Sequence, residues 1–439
     1  MHNGFNRRDF LRQTAGAGAM AVAAGLLPAW AQQKPIVKVR VGLVGSGLRG
    51  TGHIGNLLKL PGVEIKAVCD TVASRVENVQ NLVEKAGQPR PASFSRGESD
   101  YKRLCAEADL DIVYVATPWE WHTRMCVEAM KNGKHAATEV PAAITVEECW
   151  ELVETAEKTG RHCMQLENCC YDRVELMVLN MVRKGLFGEL LHAECGYLHD
   201  LRDIKFGPDH EGDWRLNHSI RRNADLYPTH GLGPVAWCMD INRGNLFDHM
   251  VTMASKSRSL HEYAVEKFGA NSPQAKLEFK LGDVVSSLIR TSAGQSILVM
   301  HDTNSPRPYS RKIIVQGTRG LIEKYPNPVV YIEGKSPAHK WEDLLSTYAK
   351  EWEHPLWAEL EQKAQGSGHG GMDYILNYRL IQCLQRGEPL DMDVYDAAAL
   401  SAVTPLSETS IANRSKTVDF PDFTRGKWRS RPPLGIVRA

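Results

Sequence analysis

Short apolar runs alternate with amphipathic stretches through the first part of the chain. Helical patterns occupy 122–132, which Gly133 ends, and 145–159. Strands that alternate with helices predict a parallel, doubly wound sheet, in which ligands lie at the carboxyl ends of the strands. Five apolar runs have the length of buried strands: 39–44, 63–69, 110–117, 135–138 and 162–167.

The pattern changes after residue 167. Apolar residues recur with helical spacing over 173–184, and Gly185 ends that helix. Strand-like runs then follow one another with turns between them, which favours an antiparallel sheet in an α+β arrangement. These runs lie at 190–198, 250–255, 284–291, 296–301, 311–316 and 329–332.

A glycine-rich turn, Gly-Ser-Gly-Leu-Arg-Gly at 45–50, directly follows the first strand. Gly45 permits a tight turn, Gly47 lets the backbone approach a pyrophosphate, and Gly50 lets the next helix pack on the strand. Asp70 ends the second strand, where a carboxylate can accept hydrogen bonds from an adenosine ribose and would repel a 2′-phosphate. Strand, glycines, helix, strand and acid together predict a bound NAD rather than NADP.

These patterns together predict two domains. The first is a Rossmann-type, doubly wound parallel sheet over 36–167, and the second is an α+β substrate domain with a largely antiparallel sheet over 168–428. Residues 429–439 form a tail.

The first 31 residues are typical of an export signal. Arg7 and Arg8 precede an apolar run over 14–27, and Ala29-Trp30-Ala31 offers a small-x-small cleavage site. Paired arginines favour the twin-arginine route, which exports folded proteins, and the run is too short and glycine-rich for a stable membrane span. We expect a signal peptide over 1–31 and a periplasmic or secreted protein; whether the peptide is cleaved stays open.

Charge and cysteine content narrow the function classes. The 439 residues include 53 Lys and Arg against 52 Asp and Glu, a formal charge of +1. This balance does not favour nucleic acid or an anionic membrane as partner, and it suits a small neutral substrate. The ten cysteines lie mostly in apolar periodic stretches without zinc spacing, so we expect buried thiols rather than disulfides or metal ligands.

Four further motifs carry a resemblance to a known family. They are Thr117-Pro-Trp-Glu-Trp-His122, Glu139-Val140-Pro141, Tyr227-Pro-Thr-His230 and Gly368-His-Gly-Gly-Met-Asp373. They resemble the Gfo/Idh/MocA oxidoreductase superfamily, and more closely its NAD-dependent glycosidase branch, glycoside hydrolase family 109, whose members include α-N-acetylgalactosaminidases. Dehydrogenases of the superfamily usually carry Glu-Lys-Pro, with a lysine that assists hydride transfer. Val140 stands in its place here, which favours the glycosidase branch.

The resemblance implies glycoside hydrolysis without net oxidation. A hydride passes from sugar C3 to NAD⁺, the C2 proton becomes acidic, the C1–O bond breaks by elimination, water adds, and the hydride returns. An exported enzyme has no soluble NAD pool, so a cofactor restored in every cycle suits export. No carboxylate pair is needed, unlike in ordinary glycosidases, although the sequence leaves such a pair open.

The resemblance also implies the site residues. Tyr227, His230 and Tyr309 share the proton transfers, and which of them takes the C2 proton stays open. From spacing alone, a buried hydrogen-bonded Tyr–His pair explains Tyr227 and His230 equally well. The cofactor contacts are Gly45, Gly47, Leu48, Arg49, Gly50, Asp70, Trp119, Glu120, Trp121, His122, Glu139, Val140 and Asn168. The sugar contacts are Tyr197, Arg215, Tyr227, Pro228, Thr229, His230 and Tyr309.

Two other functions remain as alternatives. One is a periplasmic sugar oxidoreductase with tightly bound NAD, and the other is a noncatalytic sugar sensor that keeps NAD as a structural part. We expect a small glycoside as partner, possible homo-oligomers, and neither nucleic acid nor, in the mature form, a membrane. No metal is predicted, because His199, Asp200, His210 and Asp213 lack the spacing of a known site. The sugar, its anomer and the oligomeric state are not specified.

Overall fold

The computed structural model describes residues 34–207 and 210–438, so the predicted signal peptide at 1–31 lies outside them. Its first sheet has six parallel strands in the order β3-β2-β1-β4-β5-β6, which confirms the predicted doubly wound arrangement. The strands are β1 (Val39–Val44), β2 (Val63–Cys69), β3 (Ala92–Phe94), β4 (Ile112–Val115), β5 (His135–Thr138) and β6 (Cys163–Gln165).

Helices connect these strands. The helix Val146–Thr159 begins directly after Thr145, because the Thr145 hydroxyl accepts a hydrogen bond from the Glu148 amide at 3.1 Å. Gly160, in the left-handed region with φ 66°, ends it. The helices are α1 (Leu48–Leu57), α2 (Ala73–Lys85), α3 (Asp100–Glu107), α4 (Trp119–Lys131) and α5 (Val146–Thr159).

The second sheet has nine strands in the order β14-β13-β12-β11-β7-β10-β9-β8-β15. It is mostly antiparallel, as predicted, although β7 and β10 pair in parallel. Its strands are β7 (Leu190–Leu198), β8 (Phe247–Ala254), β9 (Val285–Thr291), β10 (Ser296–Asp302), β11 (Ile314–Gly317), β12 (Gly320–Glu323), β13 (Val329–Ile332), β14 (Glu342–Asp343) and β15 (Val418–Asp419).

Further helices follow residue 167, and one of them, Val394–Ala412, contacts strands of both sheets. They are α6 (Arg173–Arg183), α7 (Arg202–Lys205), α8 (His210–Arg221), α9 (Thr229–Cys238), α10 (Ser259–Phe268), α11 (Leu344–Trp352), α12 (Pro355–Ala364), α13 (Met372–Arg386) and α14 (Val394–Ala412). Helix α13 packs on α1, and α14 contacts α5, β6 and β8. The cofactor turn is thereby in contact with a helix more than three hundred residues later in the chain.

The hydrophobic pattern does not predict α14. Fourteen of the nineteen residues of this helix are buried, so it lacks the continuous polar face that produces a helical period. The hydrophobic pattern also does not predict the short strands β3 and β12, because three and four residues, respectively, are too few to show alternation.

All ten cysteines lie among the described residues, and each is a free, buried thiol, as predicted. Within the described part of the chain, no helix combines the length and apolar character needed to cross a membrane.

Candidate active site

The turn after β1 forms a cradle at the start of α1. A Cβ on Gly50 would lie 1.9 Å from the carbonyl oxygen of Gly45, so only glycine allows this close approach. A Cβ on Gly47 would meet nothing closer than Arg75 at 3.9 Å, so space is open before the helix. No side chain caps this helix N-terminus, and Leu48 beside it is 83% exposed. The free end of the helix therefore fits a pyrophosphate.

Asp70 lies at the edge of this cradle. Its Oδ2 atom accepts hydrogen bonds from the Ser46 amide at 2.7 Å and hydroxyl at 3.1 Å. Its Oδ1 atom accepts one from the Val72 amide at 2.9 Å. These bonds fix the carboxylate at the carboxyl end of β2, where a ribose contact is predicted.

The side chain of Arg49 is engaged by carboxylates and does not extend freely into the cradle. Its Nη2 and Nε atoms lie 2.7 and 3.0 Å from Glu139 Oε1, and its Nη1 atom lies 2.9 Å from Asp373 Oδ2. Burial opposes the charge of Arg49, but the two carboxylates outweigh it and raise the pKa of Arg49 above its usual value. A cofactor contact of Arg49 would therefore use its backbone amide.

Glu139 and Asn168 lie in the same polar network. The Nε2 atom of the buried His53 lies 2.7 Å from Glu139 Oε1. Burial would raise the pKa of Glu139, but Arg49 and His53 hold it well below the usual range. The side-chain amide of Asn168 donates to Asp373 Oδ1 at 2.7 Å. Glu139 and Asn168, both predicted cofactor contacts, are thus connected to the glycine-rich turn at 45–50: Glu139 binds Arg49 directly, and Asn168 binds it through Asp373.

The two tryptophans that begin α4 lie in different surroundings. The Trp119 ring is buried, 4.7 Å from Trp214 and 5.7 Å from Tyr227. The Trp121 ring lies 6.4 Å from Tyr101, against the core of the first domain, with the Arg124 guanidinium 4.7 Å from its centre. Trp119 therefore belongs to the site, whereas the contacts of Trp121 are those of a packing residue.

Two polar residues of the Thr117–His122 motif, His122 and Glu120, contact other segments of the chain. The ring nitrogens of His122 lie 2.7 Å from the carbonyl oxygens of Pro141 and Thr117, so this buried imidazole links the segments after β4 and β5. The His218 Nε2 atom lies 3.1 Å from a Glu120 carboxylate oxygen. The proximity of His218 lowers the pKa of Glu120.

Aromatic rings from separate segments meet beside Trp119. The Tyr227 ring lies 4.6 Å from Tyr197 and 4.8 Å from His230. Tyr309 lies 6.2 Å from Tyr197, so the structure brings all three predicted catalytic residues together. Val140 is buried in the same cluster, where a superfamily dehydrogenase would carry lysine.

Arg215 borders this aromatic cluster. Its guanidinium carbon lies 4.4 Å from the Trp214 ring, 5.4 Å from Trp119 and 5.6 Å from Tyr227. Stacking on aromatic faces suits the planar guanidinium and holds it in one orientation.

His230 is paired with a carboxylate that the sequence did not single out. Its Nδ1 atom lies 2.7 Å from Oε1 of Glu167, which is fully buried directly after β6. Burial would raise the pKa of Glu167, but His230 and the Thr229 hydroxyl reverse this and lower it. The position of Glu167 in the sequence could have indicated a functional role, because it precedes Asn168 at the carboxyl end of a parallel strand, where ligands bind.

Pro228 and Thr229 were predicted as sugar contacts. Both are buried at the start of α9, with Pro228 directly before the helix. Thr229 has no exposed surface.

Burial raises the pKa of two tyrosines of the site, Tyr227 and Tyr309. Burial raises the pKa of Tyr227 well above its usual value, although the Arg215 charge opposes this. Burial also raises the pKa of Tyr309, even though 42% of that residue's surface is exposed. Near neutral pH both phenols therefore carry their protons and donate hydrogen bonds.

Glu167, Cys169 and His230 each bring a possible metal-ligand atom within 4.8 Å of the others. Burial raises the pKa of the Cys169 thiol well above its usual value, although the Arg311 guanidinium beside it opposes this. The positive charge of Arg311 beside the thiol opposes a bound cation there. Outside this group, Asp200 pairs with Arg202 at 2.8 Å.

Two family models match the chain. Residues 39–166 match the NAD-binding Rossmann fold of the oxidoreductase family, and residues 171–430 match the C-terminal domain of glycosyl hydrolase 109.

Two relatives, each named glycosyl hydrolase family 109 protein, match over nearly their whole length. The one from Solibacter usitatus is 49% identical over 442 residues, covering 98% of this chain and 99% of its own. The one from Shewanella pealeana is 46% identical over 453 residues, with the same coverage of 98% and 99%. A solved structure of levoglucosan dehydrogenase with NADH and levoglucosan superposes with a TM-score of 0.67 at 19% identity, over 88% of this chain and 100% of that one. This last likeness shows a shared fold.

Proposed function

The chain belongs to glycosyl hydrolase family 109 and carries an NAD-binding Rossmann domain, and on this premise we propose that it hydrolyses a terminal α-N-acetylgalactosaminide without net oxidation of the sugar. The observation that carries the proposal is the His230–Glu167 pair, which lies with Tyr227 and Tyr309 in one aromatic cluster. The chain is an enzyme of the glycoside hydrolase class, and NAD is its cofactor, as predicted.

The residues of the cradle fit NAD. The backbone amides at the start of α1 would bind the pyrophosphate, and Asp70 would accept hydrogen bonds from the ribose. When bound, the nicotinamide supplies reversible oxidation of the sugar at C3, which makes the proton on C2 acidic. Val140 keeps the adjoining wall apolar.

His230 is the group that we assign to the C2 proton. Glu167 accepts the proton on Nδ1, which leaves Nε2 as the proton acceptor of the imidazole in this assignment. Glu167 also stabilises the imidazolium that forms when Nε2 takes the proton. The imidazolium exchanges its proton with solvent and delivers a proton to C2 after water has added at C1.

The two neutral phenols are hydrogen-bond donors. We assign Tyr227, which packs against Trp119, as a donor to the oxygen on C3, whose hydroxyl proton passes to solvent as the hydride leaves and comes back when the hydride returns. We assign the partly exposed Tyr309 to C1, where it gives its proton to the leaving oxygen and regains one from the water that adds there, because the leaving group has to reach solvent. Arg215 and Tyr197 then hold the remaining hydroxyls or the acetamido group.

Export by the twin-arginine route is part of the proposal and rests on Arg7 and Arg8. A protein exported folded can be loaded with NAD beforehand. A cofactor that ends each cycle in its starting oxidation state needs no supply outside the cytoplasm.

The test uses the purified protein with its bound dinucleotide in deuterated water. Para-nitrophenyl α-N-acetylgalactosaminide should release nitrophenol, the product should carry deuterium at C2, and no NADH should accumulate at 340 nm. The β-anomer and the corresponding galactosides serve as comparison substrates. Accumulation of NADH without nitrophenol would instead indicate a sugar oxidoreductase, and neither exchange nor product would indicate a sensor.

A further inference from the structure

The motif Gly368–Asp373 lies far from the cofactor turn in sequence but contacts it in space. Asp373, the second residue of α13, has its Oδ2 atom 2.9 Å from Arg49 Nη1 and 2.8 Å from His369 Nδ1. Its Oδ1 atom accepts the Asn168 amide at 2.7 Å. One carboxylate thus binds the helix of the phosphate turn and the segment after β6.

The backbone of the motif is shaped for this contact. The residues from Gly368 to Gly371 all have positive φ, and His369 is among them at 43°. A Cβ on Gly368 would lie 2.9 Å from Asp373 Oδ2, so a larger residue there would press on the carboxylate. Asp373 also lies in the first turn of α13, where the helix dipole favours a negative charge.

The pairing is largely shielded from solvent. The side chains of Asp373 and Glu139 are 7% and 11% exposed, and that of Arg49 is 30% exposed. Charge-assisted hydrogen bonds in such surroundings are stronger than exposed ion pairs and less screened by salt. The Arg49–Glu139 pair lies within the first domain, whereas Asp373 brings in a helix from the second.

We propose that Asp373, Arg49 and Asn168 form a clasp that keeps the dinucleotide from leaving between turnovers. Arg49 lies in the helix whose N-terminus forms the cradle, and Asn168 is predicted to contact the cofactor from the neighbouring segment. The helix that carries Arg49 and the segment that carries Asn168 are both bound to the Asp373 carboxylate. In this proposal they have to move apart before the nucleotide can leave. The inference rests on the proposed function, which requires a resident cofactor, and it makes Asp373 a positioning residue.

The dissociation rate of NAD tests the clasp. Holoenzyme is mixed with excess isotopically labelled NAD, and exchange of the bound nucleotide is followed by mass spectrometry. We expect Asp373→Asn and Arg49→Lys each to release NAD at least about tenfold faster than the unchanged protein, as the loss of a charge-assisted bond requires.

The matched control removes the carboxylate partner of another arginine pair that involves the same helix. Arg379 of α13 donates to the buried Asp391 at 2.9 and 3.0 Å, away from the cofactor turn. Asp391→Asn should lower the melting temperature as much as Asp373→Asn does, while NAD exchange stays near that of the unchanged protein. The proposal is overturned if Asp373→Asn and Arg49→Lys exchange NAD no faster than Asp391→Asn, or if the unchanged protein itself exchanges within seconds. Failure of the unchanged protein to cleave glycosides would count against the proposed function and leave this comparison valid.

Discussion

The Nδ1 atom of His230 lies 2.7 Å from Oε1 of Glu167, a carboxylate with no exposed surface. The two residues are sixty-three positions apart: Glu167 follows the last strand of the parallel sheet, and His230 lies in α9. The pair gives the imidazole a fixed tautomer and a counter-ion for its protonated form.

Glu167→Gln should lower kcat by about 10²- to 10⁴-fold, the usual range for a lost general base, because the amide cannot stabilise an imidazolium. Bound NAD should stay unchanged. The measurement is nitrophenol release together with nucleotide content after gel filtration. The control is Asp248→Asn, which removes the partner of the exposed His249 at 2.9 Å and should leave kcat unaltered. A Glu167→Gln enzyme with ordinary kcat would contradict the role of the pair.

Tyr227→Phe and His230→Ala should each abolish turnover while leaving bound NAD in place. Phenylalanine keeps the packing against Trp119 but removes the donor, and alanine removes the base. Tyr101→Phe is the control, because that tyrosine packs against Trp121 outside the aromatic cluster. Near-normal turnover in both site variants would remove the catalytic assignment.

Asp225→Asn should make stability less dependent on pH. Burial raises the pKa of Asp225 from 3.8 to about 7, although the Tyr227 amide, which donates to it at 3.2 Å, opposes this. Between about pH 4 and pH 7 the folded protein therefore binds a proton that the unfolded chain has lost, and stability falls as pH rises. The variant carries no ionisable group there, so this part of the fall should vanish.

Melting temperatures at pH 5 and pH 8 check this prediction. The unchanged protein should lose more stability between the two values than Asp225→Asn does. The exposed Asp248→Asn variant should follow the unchanged protein. Equal pH dependence of all three proteins would show that Asp225 does not titrate as its burial requires.

Replacing Arg7 and Arg8 together by lysine should leave the protein in the cytoplasm, because the twin-arginine route recognises the arginine pair. Cell fractionation with immunoblotting measures the exported share. Arg12→Lys, a change of the same kind outside the pair, should be exported normally. Unimpaired export of the double variant would exclude this route.

The order of elements in the first domain is readable from the sequence. A parallel strand buried on both faces is a continuous apolar run, and the cofactor turn that follows β1 is a local signal of glycine spacing. The bounds of β1, β2 and β5 are therefore recovered residue for residue. Family motifs also brought Tyr227, His230 and Tyr309 into one hypothesis, although no local pattern joins Tyr309 to the other two.

Only the tertiary structure decided which partner each of these groups has. Glu167 meets His230 because α9 packs on the 3-10 turn Asn168–Tyr171, which directly follows Glu167, and Asp373 meets Arg49 because α13 packs on α1. Hydrophobic periodicity indicates which face of an element is buried. It does not indicate which charged side chain from another element will lie opposite that face. The environment of Arg49, the separation of Trp119 from Trp121 and the pairing of Glu167 all depend on such long-range contacts, so they appeared only once the chain was folded.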